Sequence, residues 1–176
     1  MLTYSKLKAT WKAASPKGDY DTVFEYLAPH WIKDYQQRLG SAKCDIVEVF
    51  DNDFSYLFDI PQGRLIAACG VSNGKNTEPR PAQRMKGHPL GAAKGYHRGH
   101  AIPHTLGGGT DINLVPQLGS LNTGKFRVLE IKAVNTPGAF YFTYWEYKGG
   151  GTQLPCSVQQ GLLCPGQDPE IYQFMN

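Results

Sequence analysis

The sequence predicts an α+β fold, with helices first and an antiparallel sheet after them, and three observations carry that expectation. Apolar and aromatic residues recur every three or four positions from Tyr4 to Leu39, the repeat of an amphipathic helix. From Cys44 the period drops to two, the repeat of a half-buried strand. Further on, residues 139–148 set Tyr141, Thr143, Trp145 and Tyr147 against Phe140, Phe142, Tyr144 and Glu146, a strand aromatic on both faces.

The elements follow in order. Leu7, Trp11 and Ala14 have helical spacing over residues 4–14, and Ser15-Pro16-Lys17-Gly18 ends that helix in a turn. A second helix over 20–39 carries Phe24, Leu27, Trp31 and Tyr35 as its stripe. Asp21 is its predicted N-cap and Pro29 its predicted kink or break. Residues 46–50, 54–59 and 64–69 read as strands joined by Asp51-Asn52-Asp53 and Pro61-Gln62-Gly63, an antiparallel meander supplying one layer of the core. Residues 72–94 are rich in glycine, proline and charge without periodicity, and a loop of that length in a small domain commonly serves function. After the aromatic strand, Gly149-Gly150-Gly151 turns the chain toward a last strand near 157–163.

Bulk composition narrows the class. Of 176 residues, 41% are hydrophobic and 19% charged, a globular balance that argues against a disordered chain. The longest apolar run, 65–70, is too short to cross a bilayer. The first fourteen residues show no leader pattern, which leaves three expectations open: a cytoplasmic protein, export without a cleaved leader, or a domain of a longer chain. The net charge is only +3, but from Val71 to Lys132 nine lysines and arginines face three acidic residues. That middle segment therefore carries +6 and the rest of the chain −3, which suits a phosphate-rich partner. None of the four cysteines forms a CxxC pair, which disfavours structural zinc. Cys156 and Cys164 can close a small disulfide loop or stay as buried thiols, and the same choice stands for Cys44 and Cys69.

Chemistry concentrates between Tyr96 and Glu130. The chain there reads Tyr-His-Arg-Gly-His-Ala-Ile-Pro-His-Thr-Leu-Gly-Gly-Gly-Thr-Asp-Ile-Asn-Leu-Val-Pro-Gln, then Leu-Gly-Ser-Leu-Asn-Thr-Gly-Lys-Phe-Arg-Val-Leu-Glu. This stretch resembles the DNA/RNA non-specific endonucleases of the ββα-metal (His-Me finger) superfamily. Their signature is an Asp-Arg-Gly-His box, an Asn-Leu-Val-Pro-Gln-like segment, and a helix carrying Asn and, eight residues on, Glu. It is especially similar to bacterial secreted and toxin-type members. The match covers about forty residues, with 1–40 as a helical extension packed into one unit with a nuclease domain over 41–176.

The resemblance implies that His100 is the general base, with Arg98 and Gly99 completing the box. It implies that Asn122 is the metal ligand, that Glu130 is the helix glutamate, and that Asn113 and Gln117 are the polar residues of the connecting segment. His97 stands where the family has Asp, a supporting position, which puts the bracing of the box in doubt. The resemblance also implies an antibacterial toxin or effector role and a protein inhibitor, or immunity protein, as partner.

The residue chemistry supports the same reading. Phosphodiester hydrolysis needs an activated water, neutralised phosphoryl oxygens and a stabilised leaving alkoxide. A neutral imidazole accepts a proton near pH 7, since its reference pKa is about 6.5. Magnesium keeps its waters and needs only one or two protein oxygens, with manganese able to substitute. A single helix capped by Ser120 would place Glu130 about 80° round from Asn122, two turns on, within reach of the ion's water shell. Arg98 and Arg127 are the candidate phosphate clamps, joined by Arg80 or Arg84 from the long loop, with Asn113 and Gln117 as further substrate contacts. Two rival readings are a nucleic-acid-binding module that does not cut and a zinc hydrolase built on His97, His100 and His104. The absence of a base-reading helix implies weak sequence preference on DNA, RNA or both, and the short apolar runs lead us to expect no membrane partner.

Overall fold

A computed structural model describes residues 2–79, 89, 94–124 and 126–176. Two helices, α1 (Leu7–Ala14) and α2 (Tyr20–Leu39), lead into three strands, β1 (Ile46–Asp51), β2 (Phe54–Asp59) and β3 (Arg64–Val71). The segment of interest follows as β4 (Tyr96–His100), β5 (Leu114–Leu118), α3 (Gly119–Thr123) and α4 (Phe126–Val134). Strands β6 (Phe140–Glu146), β7 (Ser157–Leu163) and β8 (Glu170–Met175) complete the chain.

Six strands form one antiparallel sheet in the order β1-β2-β3-β6-β7-β8, and β4 pairs with β5 in a separate two-stranded ribbon. Every residue of β6 is buried, because helices or the ribbon cover both faces of the sheet at its centre. On one face Trp31 of α2 meets Phe142 and Tyr144, with ring centroids 5.4 and 6.3 Å apart. On the other, Phe126 of α4 packs 6.1 Å from Trp145. Alternation along the strand thus sends even-numbered aromatics toward α2 and odd-numbered ones toward α4, which is why the sequence is aromatic on both faces.

The expected α2 and the β1–β3 meander are present at or near the expected bounds, and α2 runs unbroken through Pro29. Four local expectations change. The N-cap of α2 is Asp19, which accepts from the Thr22 amide at 3.2 Å, two residues before Asp21. Ser120 lies inside α3 and caps nothing; the N-cap position is Leu118. The last strand is β8, beyond 157–163. Cys156 and Cys164 sit at opposite ends of β7, eight residues of extended chain or about 26 Å apart, so no disulfide can join them, and all four cysteines are free thiols.

A buried charge ties the meander to α2. Arg64, 2% exposed, donates to the Tyr35 hydroxyl and to the carbonyls of Thr152 and Gly149. Tyr35 in turn donates to the fully buried Asp59 at 2.5 Å. The guanidinium also lies 4.2 Å from the centroid of the Tyr147 ring. Removing it leaves two carbonyls without their donor and takes the cation away from the buried Tyr35–Asp59 pair, which keeps the Asp45 amide. Arg64→Ala should therefore destabilise the fold by about 3–5 kcal/mol, measured as a fall in the urea midpoint with an unchanged slope.

Candidate active site

The β4–β5 ribbon sorts side chains by parity. In β4, Arg98 and His100 project from one face and His97 and Gly99 from the other, since successive strand residues alternate. The Arg98 and His100 face looks onto α3 and α4. A cleft of about 350 Å³ opens there, and Arg98, His100, Asn122, Arg127 and Glu130 all line it. His100 is largely buried at 9% exposure, Asn122 and Glu130 are half-buried, and both arginines are exposed. A buried imidazole between half-buried oxygen donors and exposed guanidiniums makes a polar, net-positive cleft suited to a phosphodiester.

Asn122 and Glu130 reach this cleft by a different route from the one expected. They do not share one helix: α3 ends at Gly124, with φ −106° and ψ −119°, and α4 starts afresh at Phe126. Glu130 therefore does not lie two turns along one helix from Asn122, and the two side chains line a common cleft from separate helices.

Other expected residues fall elsewhere. Asn113 is fully buried, its carboxamide spent on the backbone of Ile102 and Gly109. Gln117 is fully buried on the ribbon face opposite His100, packed over Gly99. Neither residue is brought to the cleft, so neither is placed to touch substrate. Arg80 and Arg84 lie outside the described residues. His97 points to the far face, with its ring against Gly119. It therefore cannot join His100 and His104 around one ion, and among the described residues no group of three or more His, Cys, Asp or Glu is placed to hold a metal. The zinc-hydrolase reading falls on that geometry.

Sequence reasoning missed several members of the cleft, Lys75 and Asn135 among them. Lys75 is held there by its neighbours: Ser72 donates to the Ala133 carbonyl at the end of α4, and Asn76 donates to the His104 carbonyl. Nothing in the local sequence signals this, because both anchors come from distant segments. Beyond Lys75 and His104 lies a larger cavity of about 580 Å³ lined by Asp51, Asp53, Glu78 and Asp111. Its acidic wall repels a polyanion, so the smaller basic cleft is the candidate site despite its size.

The donor set fits a hard divalent cation. Asn122 and Glu130 offer a neutral and an anionic oxygen in the same cleft, enough for one direct ligand and one acceptor toward the ion's waters.

No protein-family profile matches the chain, and no characterised protein matches it by sequence. Its three-dimensional structure does find neighbours. NucA from Streptococcus agalactiae with no metal bound aligns with a TM-score of 0.53 at 16% identity, over 79% of this chain and 73% of that one. The same protein with magnesium bound aligns at 0.52 and 13%, over 82% and 90%. EndoG, in its complex with EndoGI, aligns at 0.53 and 15%, over 83% and 80%. The chain shares their fold, a mix of helices and antiparallel sheet with a ββα-metal motif. In that fold β4, β5 and the α3–α4 helices are the ββα unit, carried on the six-stranded sheet.

The ribbon depends on the glycine of the box. A Cβ at Gly99 would fall 2.6 Å from the Gln117 Cβ, too near for the side-chain tip alone to yield. Gly99→Ala should therefore push β4 off β5, costing about 1–3 kcal/mol, read as a lowered melting temperature together with reduced turnover.

Proposed function

We propose that this chain is a magnesium-dependent endonuclease that hydrolyses phosphodiester bonds in DNA, RNA or both with little sequence preference. The observation that carries the reading is the convergence of Arg98, His100, Asn122, Arg127 and Glu130 on one cleft of a ββα-metal nuclease fold. A nearby solved structure, NucA, has magnesium bound.

In this reading Asn122 holds the cation through its side-chain oxygen, and Glu130 orients the surrounding water by hydrogen bonding. When bound, magnesium supplies positive charge for the phosphoryl oxygens and the leaving alkoxide, and manganese substitutes for it. His100 accepts the proton of the attacking water as the new P–O bond forms and the bond from phosphorus to the leaving oxygen breaks. Arg98 and Arg127 bind the phosphate from the open side of the cleft, with Lys75 as a further cation beside them. These contacts read backbone charge and not bases, which accounts for weak sequence preference.

We also propose a toxin or effector role, with a dedicated inhibitor protein as partner. Support comes from the bacterial toxin-type resemblance and from EndoG, solved in complex with EndoGI. A small acidic protein encoded next to this chain, abolishing cleavage at equimolar ratio, would bear that out; no inhibition by such a neighbour would count against it.

Plasmid nicking by the purified protein across divalent metals tests the main reading, and binding without cutting in magnesium and manganese would favour a non-catalytic module. His100→Ala should lower turnover by at least about 100-fold while DNA affinity and the melting temperature hold. Asn122→Ala should raise the magnesium concentration needed for half-maximal activity. His97→Asp, on the face away from the cleft, should leave activity unchanged or raised.

A further inference from the structure

The side chain of Asn176 joins the ribbon to the sheet at the corner from which Asn122 is presented. Strand β5 ends at Leu118 and passes without a loop into α3, whose fourth residue is Asn122. That helix has five residues, no side-chain cap and one buried side chain, Leu121. A helix so short has little cohesion of its own, so the corner at Leu118 sets where Asn122 points. Hydrogen bonds hold the corner from two sides. The Gly119 amide donates to the Gly95 carbonyl, just before β4, at 3.0 Å. The Leu118 amide donates to Asn176 Oδ1 at 2.8 Å.

The same carboxamide reaches the sheet. Asn176 Nδ2 donates to the Pro116 carbonyl of β5 and to the Pro155 carbonyl, each at 2.9 Å. The Asn176 backbone amide donates to the Cys156 carbonyl at 3.0 Å. Pro155 and Cys156 lead into β7, and Asn176 directly follows β8. Both amide protons and the oxygen are thus engaged, which fixes the carboxamide in one orientation.

We propose that Asn176 is a positioning residue for Asn122. It locks the β5–α3 corner to the β7–β8 end of the sheet, so that the Asn122 side-chain oxygen meets the cation at a fixed place in the cleft. Asn176 does not itself line that cleft. The inference rests on the reading of Asn122 as the metal ligand. With the lock removed, the ion is held less tightly. His100 is carried by β4, on the Gly95 side of the corner, and keeps its place.

The test is a manganese titration of the substrate-free protein, followed by electron paramagnetic resonance, with turnover measured alongside. Asn176→Ala should raise the manganese dissociation constant about 10-fold, and kcat at saturating manganese should stay near the native value. A lowered melting temperature with native manganese affinity is what a purely structural role gives, and it would overturn the inference. Asn122→Ala separates the two readings. If Asn122→Ala weakens manganese binding and Asn176→Ala does not, only the positioning role fails. If Asn122→Ala binds manganese as the native protein does, the ion is held elsewhere and both readings fail. Should Asn176→Ala not fold, Leu118→Pro cuts the same link from the other side. Leu118 has φ −55°, which proline adopts without strain, and the substitution removes the amide that Asn176 accepts. Weakened manganese binding in that variant supports the proposal, and native binding overturns it.

Discussion

The antiparallel pairing of β4 with β5 is the constraint on which the site depends. Because strand side chains alternate, this one ladder sends Arg98 and His100 toward the α3–α4 helices and sends His97, Gly99 and Gln117 the other way. A slip of one residue would exchange the two sets and bury the wrong histidine. The register is therefore protected on both sides. Gln117 lies across the bare Cα of Gly99, and Asn176 pins β5 by accepting from the Leu118 amide and donating to the Pro116 carbonyl.

The ribbon alone could not hold this geometry, since an isolated two-stranded pair is marginal in water. It is stable here because the six-stranded sheet and α4 supply a wall. Phe126 of α4 packs on Trp145 and Phe174, and Gln160 of β7 donates to the Phe126 carbonyl inside the core. Lys132 pairs with Glu170 of β8, tying the far end of α4 to the sheet edge. The candidate cleft is thus a gap between two elements that are each anchored to the same sheet, while its arginines stay exposed. Structure and charge divide the labour: apolar burial sets distances, and exposed cations are left for a phosphate in the proposed reading.

Much of this was legible in the sequence because the signals were local. The stripe of Leu27, Trp31 and Tyr35 marks α2, and period-two alternation marks β1 to β3. The box and the helix residues were legible as a set, and Arg98, His100, Asn122, Arg127 and Glu130 do share one cleft. What escaped depends on non-local packing. β8 is a half-exposed edge strand, so its alternation is diluted by polar residues. The helix break at Gly124 escaped because the Asn122–Glu130 stretch reads as one helix, whereas α3 ends there and Phe126 of α4 packs against the sheet. Asn113 looked like a substrate contact because a carboxamide serves as ligand or as clamp with the same atoms. The position of Ile102, eleven residues earlier, decides between them.

In the proposed reading, His100 and Asn122 address one scissile phosphate across the cleft that both line. Anomalous diffraction from crystals soaked with manganese and a nucleotide monophosphate tests it most directly. A manganese peak within bonding distance of the Asn122 side-chain oxygen, with the phosphate lying between it and the His100 ring, is the result expected. Manganese bound instead in the acidic cavity of Asp51, Asp53 and Asp111, with no phosphate near His100, would contradict the account.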